Sequence, residues 1–144
     1  MQLQVSTDYA IRILQYLHIH RNELPTAKTV AQAAGITYPF FIKLSSLLKH
    51  QGLIQTTQGR NGGYQLARPA EKISLYDVYR AVEGELNLNR CLEEDQYCSR
   101  DAVAACPFHN YFGALQESLI TELSSKYIAD FDEETGRHQG SFCR

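Results

Sequence analysis

The stretch from Thr26 to Leu66 constrains the chain more than any other. Thr26 has the hydroxyl that caps a helix start by accepting an orphan backbone N–H. Val30, Ala31 and Ala34 recur at helical spacing, and Gly35 closes the segment because glycine takes the left-handed conformation cheaply. Ile36 follows as a buried-turn candidate. Thr37 caps a second helix, and Pro39 is tolerated in its first turn, where N–H groups have no partner. Phe40 or Phe41, Leu44, Leu47 and Leu48 supply its apolar stripe, and Gly52 ends it. Leu53 to Thr57 and Tyr64 to Leu66 are strand-like, joined by the tip Gln58-Gly59-Arg60-Asn61-Gly62-Gly63. Helix, tight turn, helix and glycine-rich hairpin are the sequence form of a winged helix-turn-helix, a DNA-binding device. A plain helical hairpin followed by a β-hairpin would share these periods. The DNA reading is favoured by the short turn, by a second helix whose outward positions Tyr38, Lys43, Ser46 and Lys49 carry no acid, and by Arg60 set among glycines.

Charge divides the chain in the same sense. The net value is −2 over 144 residues, but residues 1–72 carry +5 and residues 73–144 carry −7. The basic half holds the winged unit, as expected if one end meets phosphates and the other does not. The apolar fraction of 44% suits a folded, soluble protein. No apolar run approaches the roughly 20 residues needed to cross a bilayer, and residues 1–20 mix Gln, Asp, Arg and His with apolar residues, so the expected place is the cytoplasm, with no membrane contact. No phosphate loop, Ser/His/Asp ordering or paired-carboxylate signature points to an enzyme.

Around the winged unit the pattern predicts a mainly α fold with a small β-hairpin wing and a long C-terminal dimerisation helix. A first helix spans 6–20, capped by Ser6 or Thr7, with Asp8 suiting the helix dipole. Ala67 to Ala70 is a short linker. Ser74 and Asp77 have capping-box spacing, and Leu75, Val78, Ala81 and Val82 repeat helically up to Gly84. The expected divisions are a DNA-binding domain at 1–84, a cysteine-containing loop at 85–107, the long helix at 108–129 and a disordered tail at 130–144. The stripe Phe108, Phe112, Leu115, Leu119, Leu123 and Tyr127 or Ile128 exceeds what a local core covers, which predicts pairing with a second copy. Packing on its own domain is the alternative. His18, His20, His50 and His138 are expected at the surface.

Four cysteines occur, none in the first ninety residues. Cys91-x6-Cys98-x7-Cys106-x2-His109 offers three thiols and an imidazole in a loop, a donor set that suits an iron–sulfur cluster. It also matches zinc chemistry, which takes three thiolates and one imidazole, and thiols that sense oxidants directly. The absence of tight Cys-x2-Cys pairs favours the cluster. Cys143 reads as a bystander.

Met1-Gln2-Leu3 with Thr7-Asp8-Tyr9-Ala10, the wing Gly59 to Pro69, the helix Ile73 to Glu83 and the late cysteine triplet together resemble the Rrf-two (Rrf2) family of bacterial regulators, over roughly residues 1–130. Its members include the iron–sulfur regulator IscR and the nitric-oxide-sensitive repressor NsrR. The resemblance implies a homodimer of winged heads on a palindromic operator in double-stranded DNA. It also implies an iron–sulfur cluster, 2Fe-2S rather than 4Fe-4S, on Cys91, Cys98 and Cys106. His109 is the fourth ligand in the IscR-like case and Asp8, from the other subunit, in the NsrR-like case. The function so implied is transcription regulation, with repression expected, under control of redox state, nitric oxide or iron. The alternative is a cluster-free regulator whose cysteines sense oxidation or whose loop binds an effector or partner protein. On DNA, Lys28, Lys43 and Lys49 would position phosphates. Tyr38, with Thr37, Pro39 and Ser46, would lie nearest the bases, and Gln58, Arg60 and Asn61 would meet the minor groove. The family often reads bases with a serine and a glutamate where this chain has Pro39 and Ile42, and many members carry arginine in place of Gln58.

Overall fold

The computed structural model describes residues 3–132. Helix α1 spans Val5–Ile19, α2 Ala27–Ala34, α3 Tyr38–His50, α4 Leu75–Glu83 and α5 Pro107–Ser125; strands β1 (Ile54–Thr57) and β2 (Gly63–Leu66) form one antiparallel hairpin. Its register runs from Ile54 opposite Leu66 to Thr57 opposite Gly63, so the tip comprises residues 58–62. The mainly helical fold with a small wing is therefore the one expected.

Local sequence explains the middle of the chain. The Thr26 side chain accepts from the Thr29 N–H and Thr37 from the Phe40 N–H, while Gly35 sits at φ +72°. That left-handed residue lets α2 and α3 join through a three-residue turn, Gly35, Ile36 and Thr37. Ser74 and Asp77 make the reciprocal capping box of α4. The inward face of α3 is Phe41, Leu44, Ser45 and Leu48. Leu47, expected in that stripe, lies on its flank and is exposed; Ser45 takes the inward place, its hydroxyl donating to the Ile42 carbonyl at 3.0 Å. Ile13, Leu14 and Leu17 of α1, Val30 of α2, Phe41, Leu44 and Leu48 of α3, Leu53, Ile54, Ile73 and Val78 form one core. Each such side chain stabilises the fold by about 1.5–3 kcal/mol relative to exposure.

The first helix starts differently from expectation. Neither Ser6 nor Thr7 caps it; Gln4 holds the cap position without a side-chain bond. Thr7 is buried, and its hydroxyl donates to the Glu83 carboxylate, which also accepts the Gln4 N–H at 3.1 Å. The helix start is thus fixed by the last residue of α4. The segment 67–70 is more than a linker: Ala70 is buried, and Arg68 pairs with Asp77 at 3.2 Å.

The largest correction concerns the C-terminal helix. It stops at Ser125, and Lys126 turns extended. The Leu75 N–H then donates to Lys126 O at 2.8 Å and the Ile128 N–H to Ile73 O at 2.9 Å, which lays Tyr127 beside Ser74 as a β-bridge. Tyr127 and Ile128 therefore leave the helical stripe, and Ile128, 1% exposed, enters the head's own core. Residues 128–131 form a 3₁₀ turn clamped by Gln15 Nε2 donating to Phe131 O at 2.8 Å. This return segment also covers His18, which is buried rather than superficial, with Nε2 3.1 Å from Asp132. Residues 130–132 belong to this fold instead of a tail. The rest of the expected disordered tail, with His138 and Cys143, lies outside the described residues.

Candidate nucleic-acid interface and cysteine loop

The helix-turn-helix presents its candidate DNA residues to solvent. Lys28 on α2, Thr37, Tyr38, Pro39, Lys43, Ser46 and Lys49 on or beside α3, and Gln58, Arg60 and Asn61 at the wing tip are all exposed. Helical rotation of 100° per residue puts Tyr38, Pro39, Ile42, Lys43, Ser46, Lys49 and His50 on one arc of α3, opposite Phe41, Leu44 and Leu48. A ridge of this kind enters a major groove when its far side is buried in a core. Lys49 Nζ donates to Thr56 Oγ1 at 3.3 Å, which ties the ridge to the wing.

The glycines of the wing have a steric role that loop-like composition conceals. A Cβ on Gly62 would lie 2.0 Å from the Thr57 carbonyl oxygen, and one on Gly63 2.2 Å from that of Leu24. Tyr64 N–H donates to Pro25 O at 3.0 Å, so the wing root lies directly on the α1–α2 connection. Close approach of backbone, more than freedom at the tip, requires glycine there.

The cysteine segment leaves α4 through Gly84, whose φ +85° and ψ −156° suit glycine alone. It contains only short 3₁₀ turns, at Arg90–Leu92 and Val103–Ala105. Its folding rests on local polar bonds. Asn89 Oδ1 accepts the Arg90 N–H at 2.8 Å. The Arg90 guanidinium forms a two-pronged pair with Asp95, reaches Glu93 at 3.0 Å and lies over the Tyr97 ring. The bond from Arg90 holds the Asp95 carboxyl below its usual range. The Leu88 N–H donates to Gln116 Oε1 at 2.9 Å, pinning the segment to α5.

Of the four donors singled out in this segment, two meet. His109 Nδ1 lies 3.4 Å from Cys91 Sγ, across 18 residues of chain. Cys98 and Cys106 stand apart from them, and no group of three His, Cys, Asp or Glu side chains gathers in metal-binding geometry among the described residues. All three thiols are free and half-buried. The backbone N–H groups of Ala102 and Arg100 point at the Cys98 sulfur and push its thiol below the usual range. Cys106 occupies the N-cap of α5, ahead of Pro107. The donor chemistry therefore fits an iron–sulfur cluster, while the arrangement assembles only the Cys91–His109 pair. Asp8 lies in the first turn of α1, exposed and paired with Arg12 at 2.6 Å.

Sequence reasoning missed Glu83 and Arg90. Neither has a local signal: Glu83 acts on residues 76 and 79 positions away, and Arg90 reads as one charge in an acidic run.

Comparison with known proteins places this geometry. The family model of Rrf2, described as an iron-dependent transcriptional regulator, matches residues 3–134. Protein rrf2 of Nitratidesulfovibrio vulgaris is 34% identical over 90% of this chain and 86% of its own length. The HTH-type transcriptional regulator NsrR of Halalkalibacterium halodurans is 38% identical over 85% of this chain and 82% of its own length. The solved structure of T. potens IscR superimposes with a TM-score of 0.74 at 21% identity, covering 99% of this chain and 94% of that one, which shows a shared fold. Among the described residues no helix is long and apolar enough to cross a membrane. With its helix-turn-helix ridge, glycine-bound wing and matched length, the chain belongs to the Rrf2 family of DNA-binding transcription regulators, which are not enzymes.

Proposed function

We propose that the protein is a homodimeric repressor that grips a palindromic operator with two winged heads and releases or engages it according to an iron–sulfur cluster. Cys91, Cys98, Cys106 and His109 hold the cluster, and it is of the 2Fe-2S type. When bound, the group supplies a centre whose oxidation state and integrity respond to redox state, nitric oxide or iron. The single observation that carries the reading is the Cys91–His109 contact, which brings the first and last donors of the loop to 3.4 Å. His109 is preferred to Asp8 as fourth ligand because Asp8 is already held by Arg12.

The chain's own residues supply the coupling. Reordering of residues 85–109 pulls on Gly84 and Glu83 at one end and on the start of α5 at the other. Glu83 holds the start of α1, and α1 packs against α2 and α3. A shift of α1 thus alters the spacing of two heads that must fall about one DNA turn apart.

Anaerobic purification with iron and sulfide counts and visible absorbance tests the proposal. A brown sample is expected, with colour lost in Cys91→Ala, Cys98→Ala and Cys106→Ala. A colourless anaerobic sample in which Cys91, Cys98 and Cys106 all react as thiols overturns the cluster and leaves a thiol-based regulator. Binding to the protein's own promoter should weaken steeply with salt, as phosphate contacts are displaced.

A further inference from the structure

The outward ridge of α3 has an unusual chemistry for reading bases. Its members, Tyr38, Pro39, Ile42, Lys43, Ser46, Lys49 and His50, include no Arg, Asn, Gln, Asp or Glu. Of the side chains that make two-pronged bonds to guanine or adenine, or accept from cytosine, the ridge holds only Lys43 and Lys49. The part nearest the N-terminus of α3 is instead apolar: Tyr38 is 55% exposed, Ile42 38% exposed, and the exposed Pro39 lies beyond Ile42 on the arc. Leu47 is not part of this surface, since it faces a shallow cleft with Val5 and Val82 on the other side of the helix. Lys43 and Lys49 flank the apolar group and carry the charge that attracts phosphates. The major groove offers one apolar feature, the C5 methyl of thymine.

We infer that Tyr38, Pro39 and Ile42 determine specificity by packing against thymine methyl groups, so that each operator half-site has a thymine-containing step in the major groove under the start of α3. The inference rests on α3 being the recognition helix. Ile42 is the central reader, because it lies mid-arc between Tyr38 and Pro39. Exposed and outside the core, it also tolerates truncation without loss of fold.

The test uses the full-length protein and random duplexes. Sequences retained after selection are aligned, and each thymine of the half-site is replaced by deoxyuridine, which removes only the methyl. Binding is expected to fall about fourfold for each methyl read, the value of one buried carbon. Ile42→Ala should weaken binding to the thymine operator and remove the uracil effect at one position, with an unchanged circular dichroism spectrum. Full affinity for the all-uracil operator overturns the inference, as does an Ile42→Ala variant that keeps the whole uracil penalty. If no duplex is selected at all, the reading of α3 as a recognition helix fails, and the inference with it. Loss of selectivity on Arg60→Ala with the uracil effect intact is the result expected if the wing acts separately.

Discussion

Replacement of Ile128 by alanine separates two accounts of the C-terminal region. By periodicity Ile128 extends the apolar stripe of α5, where truncation would weaken only the contact between subunits. In the structure it is 1% exposed and seated in the head core, held there by the 2.9 Å bond from its N–H to Ile73 O. Removing three buried carbons from such a site costs the transfer energy and leaves a cavity; isoleucine-to-alanine changes of this type cost about 2–5 kcal/mol. The pocket is walled by backbone at Ile73 and by α1, so little collapse is available and a value near 3 kcal/mol is expected, with Tm lowered by roughly 10 °C. Urea denaturation at several protein concentrations reads both possibilities. The expected result is a midpoint that falls by the same amount at every concentration. A midpoint unchanged at high concentration but strongly concentration-dependent on dilution would refute the core placement and return Ile128 to the subunit interface.

Three further outcomes follow from other contacts. Glu83→Ala leaves the buried Thr7 hydroxyl without its acceptor and should cost about 1–3 kcal/mol in urea, whereas adding Thr7→Val should recover part of that loss; additive losses would refute the latch. Gly63→Ala drives a Cβ against the Leu24 carbonyl, so stability should fall by about 1–3 kcal/mol together with operator affinity, and a variant binding DNA like the parent would show that the wing root shifts freely. In the metal-free protein, alkylation of Cys98 should rise at lower pH than alkylation of the same thiol in the urea-unfolded chain. A depressed folded-state pKa means that the thiolate forms earlier on raising pH, and coincident profiles would refute the role of the Ala102 and Arg100 N–H groups.

Where structure is set by neighbours in sequence, the sequence was legible. Thr26, Gly35, Thr37 and the Ser74–Asp77 pair each act within a few residues of themselves, and each cap or turn stands where its chemistry predicts. The start of α1 was not legible, because its acceptor is Glu83, which only tertiary packing brings to Thr7 and Gln4. His18 read as a surface group because nothing near it marks burial; the residues that cover it come from the far end of the described chain. The end of α5 failed for a third reason. Lys126-Tyr127-Ile128 holds no glycine or proline, so a helical period runs on through the point where pairing with Ile73 and Leu75 draws the backbone into an extended form. At the candidate site the exposed arc of α3 followed from periodicity alone. Which cysteine meets His109 did not, since a loop without a period carries no information on its own closure.

The division between head and loop has an energetic side that bears on regulation. The head buries aliphatic and aromatic side chains from α1 to α4 and from the return segment at Ile128, so opening it exposes many core residues at once. Between residues 85 and 106 the described chain buries Leu86 alone. Its order comes instead from exposed bonds such as Arg90 to Asp95, which solvent screens. Gln96 at φ 46° and Asp101 at φ 47° add backbone strain inside the same span. Such a segment can be rebuilt by ligand contacts of a few kcal/mol without disturbing the core. Its two ends are nevertheless firmly held, by Glu83 on α1 and by Gln116 on α5. A soft element clamped between two firmer ones is where the proposed regulation would act: a local change at Cys91 and His109 would be passed through Glu83 to the start of α1 and through Gln116 to α5.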